Sequence, residues 1–424
     1  MVNWLVLLLV AALALGVLLR CGIEWGMPLK RTFAVEIQGQ SGAAKKPPNE
    51  KKVFVAALLF RVLMLLVSVV IVMLSQKEIQ SVQQCMERIN LWDARHYTNL
   101  IEQGYAGYME NGQHLFLVFF PAYVWLVRAV RLLIPNTLLA GMLTSFVCYA
   151  WGCCWVHKLA YERYDEETAN YAVLFLSLFP FSFFFGTVMT EGLFLLTTAA
   201  AIYYAMNRKW VPYMIWGMLA AMTRMTGVLV VIPAFAELLK SVHPLGSVSD
   251  FKKAVPKVLK KILLIAVPCL GTLMYLLLNY HVDANPFAFT IHQKHWHQGP
   301  MLISNVVQYI VDYLWNNFKT SNGWAIWMPE LVLFVLTFLI LAAAVRRAEN
   351  PASLVAYGFV YFVMNYSLSW LLSAGRYLSC GFVFFVFLAS RTKGKKALQI
   401  SIIVIEAPFL IVYLFAYLSG AQVM

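Results

Sequence analysis

The chain has 424 residues, of which 61% are hydrophobic and only 12% are charged, and its mean hydropathy is +0.70. Soluble domains carry roughly a quarter of their residues as charged side chains, so this composition excludes a soluble globular protein and predicts a polytopic membrane protein. The net charge of +13 is explained by cationic loops held on the cytoplasmic side of a membrane, and we expect no nucleic-acid partner. The seven cysteines form no disulfide pattern.

Residues 1–52 are predicted to be an N-terminal extension. The apolar stretch 1–19 follows no basic region and contains no small-residue cleavage site, which favours a retained transmembrane helix with its N-terminus outside over a removed signal peptide. A polar, lysine-containing linker over 23–52 is expected to be flexible and cytoplasmic. The remainder, 53–424, is predicted to form one transmembrane domain.

Apolar stretches of about 20 residues, the length that crosses ~30 Å of hydrocarbon, recur throughout the chain. They predict an all-α fold with about twelve transmembrane helices and both termini outside. The predicted spans are 1–19, 53–75, 137–157, 168–187, 190–206, 211–223, 226–240, 261–280, 323–345, 351–372, 376–391 and 397–419. The two short spans meet at Arg224, which indicates a broken helix, and Pro180 predicts a kink within its span.

Two large outer loops are predicted, over 76–136 and 281–322. The first contains the segment 115–134, which is long enough to span but includes a proline and two arginines. If this segment crossed, the basic clusters after it would move to the outer side, against the positive-inside rule. We therefore expect an interfacial helix there. The second loop is expected to contain an amphipathic helix around 303–318.

Asp93 lies in the first outer loop, and we regard it as a candidate general base. In a helix over 91–101 it shares a face with His96 and Tyr97, and its carboxylate could take a proton from a hydroxyl. The alternative is a surface aspartate that caps a loop helix, with Trp92 as an interfacial anchor. The catalytic interpretation of Asp93 is favoured by the other ionisable residues that the predicted topology places at the same face of the membrane. Ionisable residues at a membrane boundary are costly and usually line a site.

Glu191, Arg224 and Arg376 are the strongest of these companions. Glu191 opens a span, so it either stabilises a helix N-terminus or binds hydroxyl groups at the mouth of a cavity. An unpaired arginine in a membrane is costly, so each arginine requires a carboxylate or a phosphate partner. An ion pair with Glu191 or Asp93 is one interpretation, and a bidentate contact with a phosphate is the other.

A second polar cluster lies in the other outer loop, where three histidines occur within residues 292–297. Their spacing fits no strong zinc pattern and no cysteine pair is near, so we predict neither a metal site nor a cofactor. An aromatic loop against lipid headgroups is one interpretation. The other is stacking of a sugar on Trp296, with hydrogen bonds from Gln293 or His295.

Taken in order, several short motifs resemble the GPI mannosyltransferase II (PIG-V) family and its bacterial relatives, within the GT-C class of membrane glycosyltransferases. The matching pieces lie between about residues 53 and 391 and are Trp92-Asp93 with Gly104-Tyr105, Phe119-Phe120-Pro121 with Tyr123, Phe179-Pro180 before Thr190-Glu191, Thr223-Arg224 with Thr226-Gly227, Phe287 to Trp296, and Arg376-Tyr377. The resemblance implies a GT-C-type fold, a polyprenyl-phosphate sugar donor, usually mannose, and an aspartate in the first outer loop, here Asp93, as the base.

The resulting prediction is an inverting glycosyltransferase that moves a sugar from a polyprenyl phosphate to a hydroxyl of a lipid or cell-envelope glycan on the outer face. The expected base is Asp93, and the expected substrate-binding residues are Trp92, Arg95, His96, Glu191, Arg224, Gln293, His295, Trp296, Arg376 and Tyr377. The two arginines would stabilise charge on the phosphate. The expected location is a bacterial plasma membrane, or the endoplasmic reticulum in a eukaryote.

Two other classes of protein remain open from the sequence. A transporter or flippase of lipid-linked sugars would use the same arginines, but it requires a polar path to the cytoplasmic side. A metal-dependent membrane hydrolase would use the histidines of the second outer loop and would be sensitive to chelators.

Overall fold

The computed structural model describes residues 2–28, 49–75 and 81–423. These residues form α-helices, short 3-10 segments and turns, with no β-strand among them, which confirms the predicted all-α fold. The linker predicted over 23–52 falls largely on residues 29–48 and so lies outside the described residues.

Ten helices lie in the first part of the chain. They are α1 (Val2–Glu24), α2 (Glu50–Ser75), α3 (Val82–Ile89), α4 (Asp93–Gln103), α5 (Pro121–Val130), α6 (Thr137–Arg163), α7 (Glu166–Leu178), α8 (Glu191–Met206), α9 (Trp210–Thr223) and α10 (Val231–Val242). Nine follow: α11 (Val248–Ala266), α12 (Cys269–Asp283), α13 (Ala288–His292), α14 (Ile303–Asn317), α15 (Met328–Arg346), α16 (Ala352–Asn365), α17 (Ala374–Ser379), α18 (Phe382–Thr392) and α19 (Lys396–Leu418). The 3-10 segments are Leu115–Val118, Ser182–Gly186, Met225–Val230 and Gln293–Trp296, and a π-helical turn, Gly323–Trp327, precedes α15.

Six helical stretches among the described residues are long and apolar enough to cross a membrane, so the chain is a multi-pass membrane protein. They are Val2–Glu24, Glu50–Ser75, Thr137–Arg163, Met225–Val242, Gly323–Arg346 and Lys396–Leu418. The pair α11 and α12, bent by 40°, would make a seventh. The expected number of about twelve spans is not confirmed, because several apolar stretches form short helices. One of them, α9, has 14 residues and is about 21 Å long, less than the ~30 Å of hydrocarbon.

Two breaks in the helices bring polar backbone and side chains into the bundle. The break predicted at Arg224 is confirmed, because α9 ends at Thr223 and a 3-10 segment follows. The kink predicted at Pro180 is wrong, because α7 ends two residues earlier, at Leu178, and the chain turns. Proline has no N–H with which to continue a helix. Buried Arg61 donates to the carbonyl oxygen of Ser182 beyond this break, at 2.6 Å.

The segment 115–134 contains a 3-10 turn and the ten-residue α5. A helix of that length measures about 15 Å, half of what a crossing needs. In the second of the predicted outer loops, the expected amphipathic helix is confirmed as α14, whose apolar residues Ile303, Val306 and Ile310 are buried. These residues recur at helical spacing, so one face of α14 packs against the bundle.

At the centre of the bundle lies α8, in which every residue except Tyr204 is buried. It approaches α6 closely because glycines face the contact: a Cβ on Gly152 would meet the side chain of Leu195, and one on Gly192 would meet the carbonyl oxygen of Ser145. Small residues permit such close contact between helices in membranes. This packing places Glu191, the first residue of α8, inside the protein.

Candidate active site

Four charged side chains form one continuous network, which we call the ion network: Asp93, Glu191, Arg224 and Arg376. The Oε1 atom of Glu191 accepts hydrogen bonds from Nε of Arg376, at 2.5 Å, and from Nη1 of Arg224, at 2.9 Å. Nη1 of Arg376 donates to Oδ2 of Asp93, at 2.5 Å. Two carboxylates and two guanidiniums balance in charge, which lowers the cost of burying all four.

Arg224 reaches the ion network from the break between α9 and the 3-10 segment that follows. Its backbone is extended there, with φ −154° and ψ 155°. The turn is tight: a Cβ on Gly227 would overlap the carbonyl of Ala220, so only glycine fits. The guanidinium lies over the ring of Tyr377, 5.0 Å from its centroid, in a cation–π contact.

Arg376 comes from the short helix α17. Its guanidinium lies over the ring of Phe184, at 5.4 Å, and it joins Asp93 and Glu191 through different nitrogens. The preceding Gly375 packs directly against the ring of Phe181, where a Cβ would overlap it. This contact sets the distance of α17 from the 3-10 segment that carries Phe184.

Asp93 is the first residue of α4, and the turn before it is held from two sides. The hydroxyl of Tyr417 accepts from the backbone N–H of Leu91, at 2.9 Å. The side-chain oxygen of Asn90 accepts from the backbone N–H of Val188, at 2.7 Å. Trp92, between Leu91 and Asp93, has φ +54° and ψ −125°, a conformation that is strained for a residue with a side chain.

The four side chains of the ion network differ in solvent exposure. The side chain of Glu191 is 0% exposed and that of Arg376 is 4% exposed, whereas Arg224 is 16% and Asp93 is 29% exposed. Asp93 therefore presents a carboxylate to the outside of the bundle, and Arg224 presents its remaining N–H groups. The arrangement can accept a proton and hold an anion at neighbouring points. The Oε2 atom of Glu191 is buried without a hydrogen-bond partner among the described residues.

His96, on the same helix as Asp93, faces an aromatic cluster. Its ring stacks on Phe116 at 4.4 Å, and its Nδ1 atom shares a hydrogen bond with the hydroxyl of Tyr108, at 3.0 Å. Burial lowers the pKa of His96, against an opposing effect of Asp93. The edge of Trp296 meets Phe116 at 6.2 Å, so this cluster joins the two outer loops that the sequence predicts.

The structure does not bond the other predicted residues to the ion network. Arg95 is exposed, and its side chain makes no hydrogen bond or ion pair within the described residues. Gln293 donates to Gln298, at 3.2 Å, and His295 packs edge-on against Trp296, at 5.0 Å. No group of three or more His, Cys, Asp or Glu side chains arranged to hold a metal occurs in the described part of the chain.

Three residues that support the ion network carry no signal in the sequence. Phe184 lies beneath Arg376, while Tyr417 and Asn90 fix the turn before Asp93. Tyr417 is 326 positions from Leu91, and Phe184 is one of three consecutive phenylalanines, so local pattern does not distinguish either of them.

Comparison with known proteins gives one family match. The family model for dolichyl-phosphate-mannose-protein mannosyltransferases matches residues 120–275, a little over a third of the chain. The matched segment contains two members of the ion network, Glu191 and Arg224. No curated protein matches the chain.

Solved structures with distant similarity include two of an archaeal oligosaccharyltransferase and one of ArnT. An oligosaccharyltransferase from Archaeoglobus fulgidus, in complex with zinc and sulfate, is 13% identical, with a TM-score of 0.46 over 88% of this chain and 53% of its own. ArnT from Cupriavidus metallidurans, bound to undecaprenyl phosphate, is 12% identical, with a TM-score of 0.46 over 78% and 70%. The oligosaccharyltransferase AglB from A. fulgidus, with an inhibitory peptide and a dolichol phosphate, is 13% identical, with a TM-score of 0.47 over 88% and 56%. The present chain therefore spans only about half the length of either oligosaccharyltransferase structure.

Proposed function

We propose that the chain is a membrane glycosyltransferase that uses a polyprenyl-phosphate sugar and works at the outer face of the membrane. The observation that carries the proposal is the ion network, in which buried Arg376 and Glu191 connect a partly exposed carboxylate, Asp93, to a partly exposed guanidinium, Arg224. The match of residues 120–275 to a mannosyltransferase family that uses dolichyl phosphate mannose supports the same class of donor. The motifs similar to the PIG-V family favour mannose as the sugar.

In the proposed reaction, the oxygen of an acceptor hydroxyl attacks the anomeric carbon of the sugar. The new glycosidic bond forms as the bond from that carbon to the phosphate oxygen breaks, and the bonding electrons leave with the polyprenyl phosphate. Asp93 takes the hydroxyl proton as general base. Direct attack from the face opposite to the phosphate inverts the anomeric centre. The acceptor is a hydroxyl of a lipid or a cell-envelope glycan.

The two arginines differ in exposure, and we assign them different roles. Arg376 uses two nitrogens on carboxylates and is almost fully buried, so it orients Asp93. Arg224 donates to Glu191 through one nitrogen and is more exposed, so its remaining N–H groups are available to phosphate oxygens. An arginine fork matches phosphate geometry, and fixed positive charge stabilises a leaving phosphate as its charge grows.

Trp296 and His96 are proposed to bind the sugar or the acceptor, because the aromatic cluster that they share begins on the same helix as Asp93. Tyr377, under the guanidinium of Arg224, is proposed to hold that guanidinium toward the phosphate. Trp92, Arg95, Gln293 and His295 remain proposed contacts of the donor or the acceptor.

The test is a transfer assay in liposomes that contain the purified protein and total membrane lipid from its source as acceptor. Polyprenyl phosphate with labelled mannose is the donor, and labelled products are separated from the donor by chromatography. We expect a new labelled glycoside and an equal amount of released polyprenyl phosphate. Movement of intact donor between leaflets without a new glycoside would indicate a flippase, and loss of activity with chelator would indicate a metal-dependent enzyme. A polyprenyl-phosphate glucose donor tests the preference for mannose.

A further inference from the structure

A polar cavity lies at the opposite end of α8 from the ion network. Glu191 begins this helix and Met206 ends it, which separates the two ends by about 24 Å. The carbonyl oxygen of Met206 accepts a hydrogen bond from Arg163, at 3.1 Å, and Arg163 lines the cavity. The volume is about 180 Å³. We call it the basic cavity, after the five cations that line it: Arg163, Arg347, Arg391, Lys393 and Lys395.

The cations of the basic cavity outnumber its carboxylates. Only Asp165 and Glu349 line it with negative charge, and each already has a partner. Nζ of Lys393 lies 2.5 Å from Oδ2 of Asp165, and Nη1 of Arg347 lies 3.0 Å from Oε1 of Glu349. Three cations therefore remain, and among the described residues none of these three has a carboxylate oxygen within 4 Å.

The pair of Asp165 and Lys393 is held in its charged form. Burial alone would raise the pKa of Asp165. Hydrogen bonds from Lys393 and Thr168 lower the pKa by more than burial raises it, so the net shift is downward. The hydrogen bond to Asp165 raises the pKa of Lys393. Neither group is free to neutralise the other cations of the cavity.

The positive-inside rule accounts for basic residues at one surface of a membrane protein. It does not account for their arrangement around one cavity. The cavity is open to solvent, and Arg391 and Lys395 are exposed at its rim. Cations gathered around one cavity still repel one another, and an anion between them offsets that repulsion. The volume is several times the ~30 Å³ of a water molecule and well below the roughly 300 Å³ of the smaller drug-sized pockets. A phosphate group with its hydration fits this volume. Arginine binds phosphate as a fork and lysine binds it as a point charge.

We propose that the basic cavity binds a phosphate group between Arg163, Arg391 and Lys395. The same oxygens are presented by the headgroup of an anionic membrane lipid and by a free phosphate ion, so the chemistry is shared. A bound phosphate joins the end of α6 to the connection between α18 and α19, and it therefore stabilises the folded protein. This site is separate from the ion network and does not depend on the proposed transferase activity.

The test compares Arg391→Gln/Lys395→Gln with a control, Lys252→Gln/Lys253→Gln, which removes two exposed cations from α11 outside the cavity. Each protein is placed in nanodiscs of phosphatidylcholine with or without phosphatidic acid, and in phosphatidylcholine nanodiscs with added inorganic phosphate. Thermal unfolding gives the Tm of each protein, and native mass spectrometry gives the amount of lipid that it retains. We expect at least one of the two probes, phosphatidic acid or inorganic phosphate, to raise the Tm of the wild type. For the probe that raises the Tm of the wild type, we expect the affinity of the cavity variant to fall by about tenfold or more. The control variant should bind that probe with the affinity of the wild type.

The two probes distinguish the source of the phosphate. A response to phosphatidic acid alone identifies a lipid headgroup, and a response to inorganic phosphate identifies a free ion. No increase in Tm with either probe would overturn the proposal. An equal loss of affinity in the control variant would also overturn it, because binding would then depend on total charge and not on the cavity.

Discussion

Asp93 and Arg376 are 283 positions apart in the sequence, and their side chains are joined by an ion pair of 2.5 Å. Arg376 is almost fully buried, whereas Asp93 is 29% exposed. The pair therefore links a partly accessible carboxylate to the buried centre of the bundle. The following predictions test what this link does for stability and for activity.

Replacement of Arg376 is expected to be strongly destabilising. Arg376→Gln leaves buried Glu191 with one cation fewer and Asp93 without its partner, and removal of one member of a buried ion pair typically costs about 3–5 kcal/mol. Thermal unfolding in detergent measures the effect. Arg346→Gln, at an exposed position near the end of α15, is the matched control and should change stability little. Equal stability of the two variants would mean that the ion network does not stabilise the fold.

Gly375→Ala is expected to displace α17. The added methyl group would overlap the ring of Phe181, and overpacking of this kind typically costs about 1–3 kcal/mol. Phe181→Ala makes room, so the added cost of Gly375→Ala should become smaller in that background. A double-mutant cycle measured by thermal unfolding gives the interaction between the two positions. Strict additivity would show that the contact with Phe181 does not restrict residue 375.

Trp92→Gly is expected to be more stable than Trp92→Ala by about 1 kcal/mol. Both variants remove the same partly exposed ring, but only glycine adopts φ +54° without steric strain. The free energies of unfolding of the two variants are compared directly. If alanine is as stable as glycine at this position, the backbone before Asp93 is not strained.

The thermal stability of the protein is expected to fall in acid because of His96. Burial lowers the pKa of His96 below the 6.5 of an exposed histidine, so the unfolded chain binds the proton first. The contribution of neutral His96 is complete above pH 6.5 and is lost as the pH falls through the lower pKa of the folded state. Tm measured between pH 7.5 and 5 should decrease more for the wild type than for His96→Phe, which retains a ring against Phe116. Parallel curves would contradict this assignment.

Local sequence singles out the charged members of the ion network but not the bonds between them. Glu191, Arg224 and Arg376 are charged residues in apolar surroundings, and that contrast is visible in sequence because buried charge in a membrane requires a partner. The particular pairs are not visible. Glu191 is bonded to Arg224 from 33 positions away and to Arg376 from 185 positions away, and only the folded bundle decides this pairing.

The helical class of the fold was also predictable, because apolar stretches recur along the chain. The number of crossings was not, since α9 and α18 are apolar but too short to span hydrocarbon alone. Pro180 indicated a kink, whereas α7 ends before it, and the sequence did not indicate that Arg61 would bond the carbonyl of Ser182 beyond that end.

The most direct measurement of the central claim is the rate of mannose transfer by Asp93→Asn in liposomes, beside Glu102→Gln as control. Both variants convert an acid of α4 to its amide, but Glu102 is exposed and lies outside the ion network. The amide introduced by Asp93→Asn can still accept a hydrogen bond from Arg376 but cannot take a proton, so transfer should fall by about 10²–10⁴-fold. Glu102→Gln should transfer at the wild-type rate. An Asp93→Asn protein that inserts, unfolds at the wild-type temperature and transfers at the wild-type rate would contradict the role of Asp93 as the base.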